Sequence, residues 1–346
     1  MKAIIELLFG LPFLAALPAL EALGLVKVSR AERMALCRGI ISSATANPVL
    51  SGLFQKFLRS ADGFVGKVLA PISRVGEQTA RYFVWDSSNL LSVPRLKARA
   101  PGSPYPRTQG KLSDDQYFAQ NWGIEEKVPD EDIKRYGTRF SAQQAALRRV
   151  KNIVVVNHEL RVKDLYGGAS VPTSTVSTKW DQASSDPIGD VDTGKAAIRA
   201  ASGMNPNTLV LSQTVFDVLK VNASILAKFQ NVERAILTKE LLQAIFGVPR
   251  VEIAGQLIDT AADGQAVYPG EIWADSVYLA YIDPTDDIQV PSAAKTLLWT
   301  AWGSDEAMVE SYYERNIKSE IERCEHYTDE KLTSADMAYR LDDVLT

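Results

Sequence analysis

The sequence has very few of the residues on which most metal sites and catalytic centres depend. It contains two cysteines, Cys37 and Cys324, and two histidines, His158 and His326. Two cysteines so far apart make neither a disulfide framework nor a zinc pattern. His158-Glu159 lacks a second histidine four residues later, so it is not the zinc-binding helix of a metalloprotease. We therefore predict no catalytic, cofactor-binding or metal-binding residues, and structural roles for both histidines.

Low-complexity tracts and solenoid repeats are also missing. Hydrophobic residues make up 46% of the 346 residues. This is enough apolar material for a sizeable core in one large domain or two ordinary ones. The composition therefore predicts a folded, globular protein.

The chain lacks an uninterrupted hydrophobic run long enough to make a convincing membrane span. Residues 3–26 are strongly apolar, but two glutamates and two prolines interrupt them: Glu6, Pro12, Pro18 and Glu21. A charge at bilayer depth costs about 2.5–3.5 kcal/mol, and no A-x-A cleavage site follows. A signal peptide or anchor stays an alternative. We favour an apolar arm that packs on other protein subunits, with no membrane partner.

A nucleotide site is suggested by GDVDTGKA (189–196), which has the G-x-x-x-x-G-K spacing of a P-loop. However, the position that should hold the magnesium-binding Ser or Thr is Ala196, and no strand precedes the first glycine. Asp186 followed by Pro187 is typical of a helix start. We therefore predict a helix over 187–202 that ends at Gly203. Its interior amides are already hydrogen-bonded and cannot cradle phosphate.

A long two-stranded loop is predicted in the first half of the chain. Residues 79–85 have the aromatic and β-branched content of a strand, and 114–128 read as the returning strand. Between them, 92–112 are rich in proline, glycine and basic residues. An isolated hairpin is marginally stable in water, and loops of this length are usually functional. We therefore expect something outside the chain's own core to hold it.

Helices and strands alternate after this loop. Residues 140–166 predict one long helix that ends at Gly167-Gly168, although the β-branched run 153–156 disfavours it. Further strands are expected at 207–212, 250–255, 271–275 and 277–282, and helices at 212–221, 223–229 and 238–247. The last segments, 297–303, 308–314, 318–327 and 335–341, predict strands of a second sheet.

Charge is unevenly distributed along the chain. Residues 1–149 hold 21 Lys and Arg against 13 Asp and Glu, and the remainder holds 17 against 29. Opposite blocks on one chain favour head-to-tail attraction between copies, although two solvated surfaces would give the same pattern.

Three aspartates near Pro284 (Asp283, Asp286 and Asp287) predict an acidic turn. The lysines and arginines of the loop between residues 95 and 111 favour binding to protein over binding to nucleic acid, because few aromatic residues lie among them.

The order of these segments resembles the major capsid proteins of tailed bacteriophages. The residues that carry the resemblance are TKWDQASSDPIGDVDTGKAAIRAASGMNPNTLVLSQTVFDVLKVNASILAKFQ (178–230), TKELLQAIFGVPRVEIAGQLIDTAADG (238–264), EIWADSVYLAYIDP (271–284) and QYFAQNWGIEEKVPDED (116–132). Glu159 lies where the family's long spine helix often carries a glutamate. The first thirty residues depart from the usual pattern and are too few for a built-in scaffolding domain.

The resemblance implies an α+β, HK97-like capsid fold with peripheral and axial domains. We expect an N-terminal arm at 1–75 and an extended β-hairpin loop at 76–128. The peripheral domain with the spine helix would cover 129–189, and the axial domain 190–287. The C-terminal strands of the peripheral domain would occupy 288–346.

The implied function is structural and not enzymatic. The chain would self-assemble, as hexamers and pentamers, into an icosahedral phage head that encloses double-stranded DNA without sequence specificity. Scaffolding, portal and decoration proteins are further candidate partners, and no cofactor is implied. The protein would belong to the virion capsid and assemble in the host cytoplasm. Alternatives are an encapsulin-like nanocompartment shell and an exported soluble binding protein. Candidate contacts between subunits are the loop cations Arg95, Lys97, Arg99, Arg107 and Lys111.

Overall fold

The structure is a computed structural model of the whole chain. It describes residues 45–46, 63–86, 91, 93, 95–96, 98–105, 107, 113–136, 142–229, 237–261, 265, 268–300 and 307–346. The apolar run 3–26 lies outside these residues, and so do Cys37, Lys97 and Lys111. Among the described residues, no helix combines the length and apolarity needed to cross a membrane.

Fifteen strands and seven α-helices are described. The strands are β1 Thr45–Ala46, β2 Ile72–Val75, β3 Thr79–Val84, β4 Ser113–Phe118, β5 Gln120–Pro129, β6 Thr173–Thr175, β7 Thr208–Ser212, β8 Arg250–Ala254, β9 Leu257–Asp259, β10 Pro269–Glu271, β11 Val277–Ala280, β12 Ala294–Trp299, β13 Met308–Glu314, β14 Ser319–Leu332 and β15 Ala338–Asp342. The helices are α1 Gly66–Leu69, α2 Asp130–Tyr136, α3 Ala142–Gly167, α4 Pro187–Ser202, α5 Gln213–Leu219, α6 Ala223–Leu226 and α7 Lys239–Phe246.

The first sheet is built around β14, whose 14 residues make it the longest strand described. Strand β5 pairs with β14 along one edge, and β13 and β12 share its other edge. Strand β2 extends the sheet as a parallel neighbour of β12, and β1 pairs with β13. Helix α3 packs on this sheet through Val150 and Val154, which meet Val309 and Cys324.

The second sheet has the order β6-β15-β11-β7-β8. Its strand β7 is buried along its whole length, as its apolar sequence TLVLS predicts. Side chains alternate across the sheet. Leu209 and Leu279 face a core shared with α4 and α7, whereas Val210 and Tyr278 face a core shared with the C-terminal part of α3.

Two predicted helices are confirmed. The spine helix α3 tolerates its β-branched run because Val154 is buried against the first sheet, and this packing outweighs local propensity. Helix α4 begins where the Asp186 side chain accepts a hydrogen bond from the Gly189 amide and ends at Gly203, whose φ is 75°. Gly194 lies inside α4, which contradicts a P-loop.

Two strand predictions are wrong or incomplete. Residues 272–275 of the predicted strand 271–275 form a turn in which Ala274 has a φ of 41°. The predicted returning strand 114–128 is interrupted at Ala119, so that β4 completes the hairpin and β5 joins the first sheet. The break at Ala119 arises because β4 pairs with β3 whereas β5 pairs with β14. The local sequence does not reveal these pairings.

Two segments near the ends of the chain pair differently from what the sequence predicts. The segment 335–341 was expected among the C-terminal strands of one sheet, but β15 pairs with β11 in the second sheet. It does so because Tyr339 and Leu341 pack into the core beside α4. Residues 63–75, which the sequence places in the arm, form α1 and β2 within the body.

Candidate subunit-contact surfaces and a buried glutamate junction

The extended loop is a hairpin attached to the body at its base. Strand β3 pairs antiparallel with β4 from Thr79–Phe118 to Val84–Ser113. Tyr82 and Tyr117 are buried beside Leu297 of β12. Burial, together with nearby Asp115, raises the pKa of Tyr82, so its hydroxyl stays neutral. The hairpin base is therefore an apolar anchor.

Beyond this anchor, the loop exposes apolar side chains. Of the described residues from 91 to 107, every one except Ser103 is exposed. Val93, Leu96 and Tyr105 are 82%, 83% and 74% exposed, respectively. Exposed large apolar side chains on a loop without a core of its own make it a candidate contact site. We call Val93, Leu96 and Tyr105 the loop strip.

The predicted contact residues differ in their surroundings. Arg99 donates to the Ser103 carbonyl at 2.6 Å and lies 4.5 Å from the centre of the Tyr105 ring. It therefore shapes the loop from within. Arg95 and Arg107 are exposed, and neither forms an ion pair with any other residue that the structure describes. Lys97 and Lys111 lie outside the described residues.

Glu159 forms a buried junction between three parts of the chain. It lies on α3 and is 1% exposed. Its carboxylate accepts hydrogen bonds from the amides of Val65 (2.8 Å) and Gly66 (2.6 Å) and from Trp273 Nε1 (2.6 Å). Burial raises the pKa of the carboxyl, and these hydrogen bonds partly offset the shift. The junction holds the start of the described body against the spine helix.

The sequence did not reveal the partners of Glu159. A Cβ at position 66 would lie 2.6 Å from Glu159 Oε2, so this close approach requires glycine. Trp273 lies in the segment that was predicted as a strand, and its exposed fraction is 1%. The one sequence feature that pointed to this junction was Trp273, because a buried tryptophan needs an acceptor for its N–H.

A second buried polar cluster lies between α3 and β14. Arg161 donates to both carboxylate oxygens of Glu330, at 2.9 and 3.0 Å. The Trp122 ring covers the Arg161 guanidinium at 4.4 Å. Burial lowers the pKa values of His158 and His326 to about 3, so both rings are neutral at physiological pH.

The environment of His158 also fixes its tautomer. The Thr296 hydroxyl donates to the Ala70 carbonyl at 2.9 Å and lies 3.2 Å from His158 Nε2. Because this hydroxyl has one proton, it accepts from the ring, which places the His158 proton on Nε2. His158 thereby connects the spine helix to β12.

The acidic turn is held by buried and surface cations. Lys295, which is 0% exposed, donates to the carbonyls of Asp283 (2.8 Å) and Thr285 (2.6 Å). Arg74 of β2 pairs with Asp286 at 3.2 Å. Among the described residues, no group of three or more His, Cys, Asp or Glu side chains is arranged to hold a metal ion.

Comparison with solved structures identifies the fold. A phage-related protein from Bordetella bronchiseptica RB50 superposes with a TM-score of 0.67, covering 88% of this chain and 99% of that one, at 22% identity. The capsid of cyanophage P-SCSP1u superposes with a TM-score of 0.52 at 9% identity, covering 79% of this chain and 86% of that one. The chain has an HK97-like phage capsid fold.

Sequence comparison agrees with the fold. The major capsid protein of Burkholderia phage BcepMu is 25% identical over 250 residues, which cover 68% of this chain and 76% of that protein. No protein-family model matches the chain. The expected resemblance to tailed-phage major capsid proteins is therefore confirmed by both kinds of comparison. Together they support a head shell protein over the alternatives raised from the sequence.

Proposed function

We propose that this protein is the major capsid protein of a bacteriophage and self-assembles into the icosahedral shell of the head, enclosing double-stranded DNA. The proposal is supported by the likeness to a phage major capsid protein and by the capsid fold. Capsid relatives are structural proteins, and we assign this chain a structural role without catalysis. Hexamers and pentamers of the chain, with portal and scaffolding proteins, would complete the head.

The observation that carries the proposal is the unsupported loop. Its base is buried, yet the loop strip beyond it is more than 70% exposed at Val93, Leu96 and Tyr105. Such side chains gain about 25 cal/mol per Å² of apolar surface when they are removed from water. A neighbouring copy supplies that burial. We propose that Arg95, Lys97, Arg99, Arg107 and Lys111 pair with its carboxylates.

The domains follow from the two sheets. We assign the first sheet and α3 to the peripheral domain, and the second sheet with α4–α7 to the axial domain. Strand β15 then returns the chain to the axial domain, and residues 63–75 belong to the body. The N-terminal arm ends before this segment.

A nanocompartment shell of the same fold is the nearest alternative raised from the sequence. The sequence likeness to a phage major capsid protein favours the phage head. The content of purified shells separates the two: packaged double-stranded DNA supports the head, and a packaged cargo enzyme without DNA supports the nanocompartment.

The loop contact is tested by charge reversal. We expect the Arg95→Glu, Lys97→Glu, Arg99→Glu triple variant to form no shells in negative-stain microscopy while its unassembled chain keeps the circular dichroism of the parent. The matched control is Arg95→Lys, Lys97→Arg, Arg99→Lys, which preserves charge and should assemble. Normal shells from the reversed variant would contradict the proposed loop contact.

A further inference from the structure

A cleft lies between the two sheets, where the starts of β7 and β8 face α1 and β2. Its volume is about 420 Å³. Small-molecule sites in proteins usually occupy clefts of about 300–1,000 Å³. Each sheet supplies one wall, so the cleft is formed within a single copy of the chain. We call it the inter-sheet cleft.

The charge that lines the inter-sheet cleft has one sign. Of the described residues that line it, three are cations (Lys67, Arg74 and Arg250) and none is acidic. Arg74 pairs with Asp286 at 3.2 Å and Arg250 with Glu252 at 2.9 Å, but both carboxylates lie outside the lining. A cleft lined by one sign of charge concentrates ligands of the opposite sign. The inter-sheet cleft therefore favours an anion.

Arg250 has donors that such an anion can use. A guanidinium carries five N–H groups in a fixed fork. Arg250 Nε donates to Glu252 Oε1 at 2.9 Å, and its two terminal nitrogens donate to no other residue that the structure describes. A phosphate monoester carries a charge of about −1.5 to −2 at pH 7 and three acceptor oxygens, which suits a fork beside two further cations.

The rest of the lining is mostly apolar. It consists of three prolines and three branched aliphatic residues: Pro71, Pro249, Pro284, Val68, Ile72 and Ile282. These side chains offer no hydrogen bond, and the proline rings are stiff and need no ordering when a ligand binds. A bare inorganic anion would leave this surface in contact with water. The lining therefore favours an anion that also carries an apolar face.

Internal hydrogen bonds hold both walls in place. Asn207 Nδ2 donates to the Ile282 carbonyl at 2.7 Å, and Asn207 Oδ1 accepts from the Ile282 amide at 2.9 Å. On the opposite wall, the Arg74 amide donates to Asp286 Oδ1 and Ser73 Oγ donates to the Asp286 carbonyl, both at 2.5 Å. The inter-sheet cleft is therefore formed before any ligand arrives, which lowers the cost of binding.

We propose that the inter-sheet cleft binds a phosphate monoester that carries a flat ring, such as a mononucleotide. The phosphate lies on Arg250, Lys67 and Arg74, and the ring lies against the prolines. This binding site goes beyond the shell function and does not depend on it, because one copy supplies the whole lining. Since the ligand contacts both sheets, its binding stabilises the folded chain.

Calorimetric titration of the purified full chain tests the proposal. The probe is adenosine monophosphate, compared with inorganic phosphate and with adenosine. We expect adenosine monophosphate to bind at least tenfold more tightly than either. Arg250→Ala should weaken its binding at least tenfold, and Arg250→Lys should weaken it less because one charge remains. Arg199→Ala is the matched control: Arg199 is exposed on α4, away from the cleft, and its loss should leave binding unchanged.

A second measurement does not depend on variants. The parent chain is irradiated with an azido derivative of adenosine monophosphate, and the labelled peptides are identified by mass spectrometry. We expect the label on peptides that contain Pro71, Pro249 or Pro284, and we expect excess adenosine monophosphate to remove it. Label that is spread over other peptides, or that excess ligand does not displace, would contradict the site.

Four titration results would also overturn the inference. These are no binding of adenosine monophosphate, binding no tighter than that of inorganic phosphate, unchanged binding in Arg250→Ala, or an equal loss in Arg199→Ala. Binding of a short DNA duplex without binding of the mononucleotide would overturn it too, because the cations would then recognise the DNA backbone. The shell function stands in each case, since assembly of the parent chain tests it separately.

Discussion

Removal of the Glu159 carboxylate should destabilise the chain more than any ordinary surface change. In Glu159→Ala, three buried donors lose their acceptor: the amides of Val65 and Gly66 and the indole N–H of Trp273. An unsatisfied buried donor costs about 1–3 kcal/mol, and relief of the buried charge returns part of this. We therefore expect a loss of about 3–5 kcal/mol in the free energy of unfolding.

Glu159→Gln separates hydrogen bonding from charge. The amide oxygen still accepts, but its NH₂ group faces one of the former donors. We expect a loss of about 1–3 kcal/mol, smaller than that of the alanine variant. Because burial raises the pKa of Glu159, the parent gains stability relative to this variant as pH falls through the folded pKa toward 4.5.

The assay is urea unfolding of the unassembled chain, followed by circular dichroism, with hydrogen exchange at residues 63–75. Asp164→Asn is the control because Asp164 is exposed on the same helix, and such changes usually fall within about 0.5 kcal/mol. We expect the alanine variant to speed exchange at the Val65 and Gly66 amides. Equal stability of the alanine and Asp164→Asn variants would show that the buried hydrogen bonds of Glu159 do not stabilise the chain.

Two further predictions concern the cores. His326 has a pKa of about 3 in the folded chain against 6.5 ordinarily, so its contribution to stability is present above pH 6.5 and lost as pH falls. Between pH 6.5 and pH 5 this loss is about 2 kcal/mol. His326→Gln should therefore reduce the pH dependence of the free energy of unfolding, measured in urea, by that amount. An unchanged pH dependence would contradict the burial of a neutral His326 ring. Gly194→Ala would place a Cβ 2.6 Å from Leu279 Cδ1 and 3.0 Å from Tyr339 Cδ1, and should cost about 1–3 kcal/mol in thermal unfolding. A gain in stability, as expected for an ordinary exposed helix position, would contradict the close packing.

Local signals in the sequence were enough to predict most of the helices that the structure describes. The Asp186 cap, Pro187 and Gly203 bracket α4, because capping depends on residues within one turn of each end. The Thr238 cap and Gly247 bracket α7 in the same way. The long hairpin could also be predicted, since two strand-like segments flank a stretch rich in proline and glycine.

Long-range pairing set the limits of sequence-based prediction. Nothing local to 335–341 shows that β15 pairs with β11, or that β6 adds to the same sheet. Equally, the break at Ala119 depends on β14, which lies about two hundred residues further along the chain. The Glu159 junction depends on two distant amides and one indole, none of which carries a motif.

The candidate contact surface was only partly predictable for a similar reason. Composition indicated a basic loop that lacks a core. The structure describes the base of this hairpin. The internal contact of Arg99 with Ser103 and Tyr105 depends on how the loop turns, which a list of cations does not contain.

We propose that this chain completes its structure by binding sister copies. Sedimentation of the purified full chain over a hundredfold range of concentration, with electron microscopy of the fast fraction, tests it most directly. We expect closed particles in which the extended loop of each copy covers its neighbour. A compact monomer whose sedimentation does not change with concentration would contradict it.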